Sequence, residues 1–232
     1  MVWLVEGASQ ASFPAFVFQL VTLFIYNHEL CHLHQLKDRE QGQEDMLEER
    51  YNFAAQDDFN LLRHAMEMDA DVFAATEIAY SVHTFWVKLP EKDRSTATLQ
   101  FLVSLFGAAV FLVFYSLQGG WQPMYFLEHS HPHAVVRVTY VLDCITTTLQ
   151  GTGEPDRPLS RDNCQVDTLL LADKLLHFSD ERGLVNYWKM FTDNIVGFEN
   201  YIRQHIVPMT RRTPWLVQPR RTDLIKRGLK RE

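Results

Sequence analysis

Residues 13–35, FPAFVFQLVTLFIYNHELCHLHQ, constrain the fold of this chain more than any other stretch. About 14 apolar residues lead, without a turn signal, into a cluster of three histidines, one glutamate and one cysteine. A run of this length fits a buried helix better than a membrane span, which needs about 20 residues. Pro14 suits the first turn of a helix, where the backbone nitrogen has no helical partner. The sequence therefore predicts a core helix that leads into the polar cluster.

Charge is distributed unevenly along the 232 residues. Of 22 Lys and Arg and 29 Asp and Glu, residues 211–232 hold eight bases and two acids, which leaves the preceding residues with a net charge of −13. An acidic body argues against a nucleic-acid-binding protein. The basic tail could contact an acidic partner or anionic lipid, or it could be a solvated chain end.

The number of cysteines and the N-terminal sequence indicate the cellular compartment in which the protein is expected. The chain has three cysteines, a number too small and too odd for a disulfide framework, which favours a reducing compartment. Glu6 stands where a signal peptide would carry Lys or Arg, so we expect no cleaved signal. We therefore expect a cytoplasmic protein that could associate with membranes.

Apolar residues recur at helical spacing along most of the chain, and alternating strand patterns are scarce. The fold class is therefore predicted to be mainly α with little β. After the first helix, the predicted helices lie near residues 61–82, 99–118, 138–149, 163–178 and 184–206, the last ended by Pro208. We predict a solvent-facing helical connector at residues 37–63 and a loop, the clearest in the sequence, at residues 151–160.

The length suits one hydrophobic core, and nothing in the sequence requires two domains. We predict a single domain over residues 1–207. It has a core that carries the motifs at 15–145 and C-terminal helices at 160–206. Residues 208–232 are predicted to form a basic tail.

The segment His28-Glu29-Leu30-Cys31-His32 has the pattern HExxH. Four helical residues turn by about 400°, so His28 and His32 emerge roughly 40° apart on one face and can bind one Zn²⁺. Glu29 lies beside His28 and could act as the general base for a water that the zinc activates. Cys31 points elsewhere on the helix. The alternative is a helix end whose histidines make only local hydrogen bonds.

The segment EMDAD offers a third ligand, since a catalytic zinc needs three protein ligands and an open position. Glu67 and Asp71 are four residues apart and share one helix face. We predict that Glu67 binds the metal and that Asp71 accepts the free N–H of a ligand histidine. An acidic solvent face is the alternative, although the flanking segments HAM and VFAA are apolar, where unpaired acids are costly.

A third motif, His131-Pro132 with Arg137, has the pattern HP-x4-R. The order of the three motifs resembles that of the integral-membrane and cytoplasmic gluzincins, which include the CAAX prenyl protease and HtpX group. The motifs are HExxH, then an ExxAD-type helix, then HP-x4-R. The phage-exclusion Lit peptidases are similar more loosely. The resemblance covers about residues 15–145. It implies a zincin-like helical metallopeptidase in which His28, His32 and Glu67 bind Zn²⁺ and the His-Pro/Arg element borders the site.

His131 and Arg137 are the further catalytic candidates. Either side chain could donate a hydrogen bond to the oxyanion of a tetrahedral intermediate. The alternative is that His131 marks a loop corner and that Arg137 forms an ion pair that supports the fold.

Other histidines near the motifs are weaker candidates. His64 lies one turn before Glu67 and could support a metal ligand. His129 and His133 are expected to be ordinary loop histidines.

Residues 99–118 form an uncharged apolar run at the lower edge of transmembrane length. A single membrane crossing there would put Glu67 and His131 on opposite sides of the bilayer. If both residues serve one site, the run is a buried helix or an element that only dips into the membrane. We favour the buried helix, with membrane contact through residues 99–118 or the basic tail as an open expectation.

The leading hypothesis is a zinc-dependent endopeptidase that acts on a protein or peptide substrate. The first alternative is a catalytically silent zinc-binding or membrane-associated interaction module of the same fold. An intact glutamate between the two histidines counts against this module, because a scaffold does not need it. A helical protein without a metal is the third interpretation.

Overall fold

A computed structural model describes residues 13–41, 56–151, 159–179, 186–213 and 216. Within these ranges the chain is mainly helical and has no β-strand, in agreement with the predicted fold class. The predictions made for Glu6, for connector residues 42–55, for loop residues 152–158 and for most of the basic tail lie outside the described residues.

Eight α-helices make up most of the described chain. They are α1 (Phe13–Gln41), α2 (Gln56–Val87), α3 (Thr96–Leu117), α4 (Ala134–Gln150), α5 (Arg161–Ser179), α6 (Tyr187–Asp193), α7 (Ile195–Tyr201) and α8 (Val207–Arg212). A 3₁₀ turn at Glu91–Asp93 connects α2 to α3, and a π-helical turn at Ile202–Ile206 connects α7 to α8.

Helix α2 packs against α1 and α4, and α3 packs against α1, α4 and α5. The core between the first four helices consists of buried apolar side chains, including Phe24, Ile78, Phe106, Phe111, Leu142 and Ile145. Small residues let the helices approach closely. A Cβ atom at Gly107 would lie 2.6 Å from Thr168 Oγ1, so the Thr168 side chain of α5 packs directly on the α3 backbone.

Among the described residues, α3 is the one helix long and apolar enough to cross a membrane. Within the fold, 56% of its most apolar window is buried. The helix begins at Ser95, whose Oγ accepts the Thr98 N–H at 3.1 Å, and a turn at Gly119 and Gly120 follows it. These glycines have φ angles of +83° and +97°, which side chains with a Cβ rarely adopt.

The C-terminal region differs from the single helix predicted at 184–206. The chain breaks at Asn194, which has φ −114° and ψ 9°, into α6 and α7. The prediction that Pro208 ends the helix is wrong. Pro208 lies in the first turn of α8, where its missing N–H removes no helical hydrogen bond. Helix α8 also crosses the predicted domain boundary at residue 207.

Candidate metal centre

Three ligand atoms from α1 and α2 converge at one point. His28 and His32 project from successive turns of α1, and Glu67 faces them from α2. Their ligand atoms all lie within 4.8 Å of one another. The two Nε2 atoms are 3.1 Å apart, Glu67 Oε2 lies 3.5 Å from His28 Nε2, and Glu67 Oε1 lies 3.3 Å from His32 Nε2.

These separations fit a tetrahedral metal ion. Zinc binds nitrogen and oxygen ligands at about 2.0–2.2 Å, so neighbouring ligands of a tetrahedral ion stand about 3.3–3.5 Å apart. The distance between the two Nε2 atoms, 3.1 Å, and the distances from them to the two oxygens of Glu67, 3.3 and 3.5 Å, are close to that value, although each histidine faces a different oxygen. Two imidazoles and a carboxylate are also a donor set that zinc commonly takes in catalytic sites.

The other ring nitrogen of each histidine faces an oxygen that can only accept. His32 Nδ1 lies 2.8 Å from Gln35 Oε1, so Nδ1 carries a hydrogen and Nε2 is the nitrogen left to bind a metal. Without a metal, a proton on Nε2 hydrogen-bonds Glu67. His28 Nδ1 lies 3.0 Å from Asp71 Oδ1, although its N–H is not well aligned with that oxygen. Two unprotonated Nε2 atoms 3.1 Å apart repel each other unless a proton or a cation lies between them.

Gln35 is a supporting residue that sequence analysis missed. Its side chain is fully buried, and its Nε2 donates to Asp69 Oδ2 at 2.8 Å and to the Met66 carbonyl at 3.0 Å. These bonds fix the amide so that its oxygen faces His32. The position of Gln35, three residues after His32 on the same helix, was the available signal.

Arg137 on α4 contacts the Glu67 and Asp71 carboxylates of α2. Its Nε and Nη2 donate to the two oxygens of Asp71, each at 2.8 Å, and Nη2 lies 3.1 Å from Glu67 Oε2. The guanidinium also stacks over the Phe114 ring, with Cζ 4.0 Å from the ring centroid. Asp71 is completely buried, so this pair compensates a carboxylate that water cannot reach.

The electrostatics of this cluster favour positive charge at the imidazoles. Burial lowers the pKa of His28, but hydrogen bonds to Asp71 and Glu67 outweigh it and raise that pKa to about 9. Burial would raise the pKa of Glu67, yet hydrogen bonds from both histidines and the charge of Arg137 hold it well below its usual range. Glu67 therefore stays ionised and available to a cation.

A cavity of about 510 Å³ opens beside the three ligand atoms. One wall is apolar and comes from α1 and α3, and the other is polar and comes mainly from the segment between α3 and α4. The lining includes Glu29, Phe114, Leu117, His131 and Arg137.

The structure brings all seven residues of the predicted site together. His28, Glu29, His32, Glu67, His131 and Arg137 line the cavity, and Asp71 lies behind His28. Glu29 is exposed on α1 beside His28. The His131 side chain is 57% exposed, with Nε2 3.8 Å from Glu67 Oε1. Because Glu67 precedes α3 and His131 follows it, this short distance excludes a lone membrane crossing by α3 in this fold.

His133 is not an ordinary loop histidine. It is fully buried, and its Nδ1 accepts the Val135 N–H at 3.1 Å, which caps the start of α4. Its Nε2 then carries the hydrogen and faces the Gln122 carbonyl at 3.3 Å. His133 thus fixes where α4 begins and thereby helps to position Arg137 on that helix.

Comparisons with protein-family models, with curated proteins and with solved structures found no match for this chain. The described residues are mainly helical, and no comparison places this fold in a known family. The function is therefore inferred from the geometry and chemistry of the site.

Proposed function

We propose that this protein is a zinc-dependent endopeptidase that hydrolyses protein or peptide substrates. One observation carries the proposal: two Nε2 atoms and a carboxylate lie 3.1–3.5 Å apart beside a cavity that Glu29 also lines. Bound zinc would polarise a substrate carbonyl and lower the pKa of water to about 7. His28, His32 and Glu67 would hold the ion. The motif resemblance to gluzincins supports the same assignment.

Glu29 is proposed as the general base. It follows His28 directly in α1, lines the cavity and is exposed to the solvent within it. A carboxylate in this place can take a proton from the attacking water and deliver it to the leaving amine. No such duty is needed in a site that only binds a metal.

His131 is proposed as a hydrogen-bond donor to the developing oxyanion. Its ring lines the cavity, with Nδ1 3.0 Å from Ser130 Oγ and Nε2 on the Glu67 side. Arg137 contacts Asp71 and Glu67 through Nε and Nη2, so its first role is to orient these carboxylates. Arg137 also lines the cavity, so its guanidinium is proposed as a second donor to the substrate.

The apolar wall indicates which substrates fit. Phe24, Ile25, Val113, Phe114 and Leu117 line one side of the cavity. A large apolar side chain next to the scissile bond would bury its surface there, which stabilises binding by about 1.5–3 kcal/mol. We therefore propose peptides with Leu, Phe or Met beside the cleaved bond as the preferred substrates.

The test compares Glu29→Gln with the wild-type protein on a peptide library that contains such apolar residues. We expect Glu29→Gln to keep its zinc and to lose hydrolysis by about 100-fold or more, because it removes the proton acceptor. Glu91→Gln, an exposed substitution outside the cavity, serves as the control. An active Glu29→Gln variant contradicts the mechanism. Metal binding without turnover in the wild type would support the silent zinc-binding module instead.

A further inference from the structure

The segment that carries His131 is fastened to α2 by a buried hydrogen-bond chain. His64 is fully buried on α2, three residues before Glu67. Its Nε2 lies 2.7 Å from the His129 carbonyl, and its Nδ1 lies 2.7 Å from the Tyr201 hydroxyl. A carbonyl only accepts, so Nε2 carries the hydrogen, and Nδ1 of the neutral ring accepts from Tyr201.

The neutral state of His64 agrees with its surroundings. Burial lowers the pKa of His64 to about 4, and the hydrogen bond to the His129 carbonyl offsets this only in part. With an uncharged ring, the direction of both hydrogen bonds is fixed: Tyr201 O–H to Nδ1, and Nε2–H to the His129 carbonyl.

The C-terminal helices hold the same segment at a second place. The Phe126 ring lies 5.5 Å from the Tyr201 ring, centroid to centroid. A Cβ atom at Gly197 would approach Phe126 Cε2 to 2.9 Å, so α7 sits tightly on this ring. Tyr201 is itself 2% exposed, which leaves its hydroxyl enclosed by His64 and Met68.

His131 follows two residues after the carbonyl that His64 holds, and its Nε2 lies 3.8 Å from Glu67 Oε1. We propose that His64 and Tyr201 are positioning residues that hold the 129–131 segment over the metal centre, so that His131 can reach a bound substrate. This proposal rests on the proposed peptidase function. It gives α7, which lies outside the motif-bearing core at 15–145, a defined role in the site.

The test uses full-length Tyr201→Phe, which removes the donor but keeps the ring. Tyr187→Phe is the matched control, because Tyr187 is equally buried at 2% and packs on Phe111 away from the cavity. Three quantities are measured on the zinc-loaded proteins: zinc affinity, the NMR signals of the His131 ring, and kcat and KM on an apolar peptide.

We expect Tyr201→Phe to leave zinc affinity within about twofold of wild type, since it touches none of the three ligands, and to shift or broaden the His131 signals. We expect kcat to fall about tenfold with KM unchanged, because a mispositioned donor acts mainly on the transition state. Tyr187→Phe should change none of these quantities.

Unchanged His131 signals in Tyr201→Phe would overturn the proposal, as would a loss of zinc affinity as large as in a ligand variant. If Tyr201→Phe does not fold, His64→Gln, which keeps one donor and one acceptor, is compared with His64→Leu. The proposal then requires that His64→Gln retains the wild-type His131 signals and that His64→Leu does not. If no peptide is ever cleaved, the peptidase function fails, while the NMR comparison still decides the positioning role.

Discussion

At the scale of single residues, the site follows from which oxygens face the two imidazoles. Gln35 and Asp71 occupy the Nδ1 side of His32 and His28, which leaves both Nε2 atoms facing Glu67. The spacing of HExxH and EMDAD was enough to predict that His28, His32, Glu67 and Asp71 lie together. The spacing places Gln35 on the helix face of His32, but the orientation of its amide could not be predicted, because it depends on contacts with α2 that local sequence does not specify.

Asp71→Asn tests how strongly zinc affinity depends on Asp71, which lies behind His28. The variant weakens the acceptor for His28 Nδ1 and removes the charge that compensates Arg137. We expect zinc affinity to fall by about 10–100-fold and the free energy of unfolding to fall by about 3–5 kcal/mol. Competition with a chelating dye and urea unfolding measure the two effects. Asp93→Asn, at an exposed position, is the control, and wild-type affinity in Asp71→Asn would contradict the assignment.

Because His28 can bind either a proton or zinc, we expect the stability of the metal-free fold and the affinity for zinc to depend on pH in opposite directions. In the metal-free fold the pKa of His28 is raised from 6.5 to about 9. The protonated ring therefore stabilises that fold fully below pH 6.5, and the stabilisation, on the order of 3 kcal/mol, is lost as the pH rises through about 9. Zinc needs the unprotonated ring, so its affinity rises over the same range.

Urea unfolding of the metal-free protein between pH 6 and 9.5 measures the first effect, and His28→Gln is the control. We expect the wild type to lose stability over this range by a margin that the variant does not show. If the free energy of unfolding depends on pH equally in the two proteins, the His28 ring is not held in its protonated form by Glu67 and Asp71.

At the scale of elements, α3 shows what periodicity can and cannot predict. Its extent was predicted from the uncharged run 99–118, and the structure places it at Thr96–Leu117. Its partners were not predictable, because an all-apolar helix gives no indication of which face meets which neighbour. The break at Asn194 was also missed, since the apolar spacing continues on both sides of it.

Gly107→Ala tests whether α3 is packed in the core. The new methyl group would lie 2.6 Å from Thr168 Oγ1 and 2.9 Å from Leu142 Cδ2, so these side chains or their helices must shift. We expect the free energy of unfolding to fall by about 1–3 kcal/mol in thermal or urea unfolding. Ser116→Ala, exposed on the same helix, should have little effect. A neutral or stabilising Gly107→Ala would indicate that α3 does not pack on α5 and would reopen a membrane position for it.

At the scale of the whole molecule, the site depends on parts of the chain that are far apart in sequence. Tyr201 reaches His64 across 137 positions, and Arg137 reaches Asp71 across 66. A motif suggested that Arg137 borders the site, but not that it contacts Asp71. The first contact had no signal, because a buried Tyr–His pair has no characteristic spacing. Local chemistry was therefore predictable from the sequence, but the long-range contacts that fix its geometry were not.

The most direct test of the account is the coordination of zinc in protein purified without added metal. X-ray absorption spectroscopy combined with metal analysis gives both the stoichiometry and the identity of the ligands. We predict about one zinc ion per chain, with two imidazole nitrogens and carboxylate oxygen at about 2.0–2.2 Å and no sulfur ligand. Protein without bound zinc, or zinc held by cysteine sulfur at about 2.3 Å, would contradict the central claim that His28, His32 and Glu67 form a metal centre.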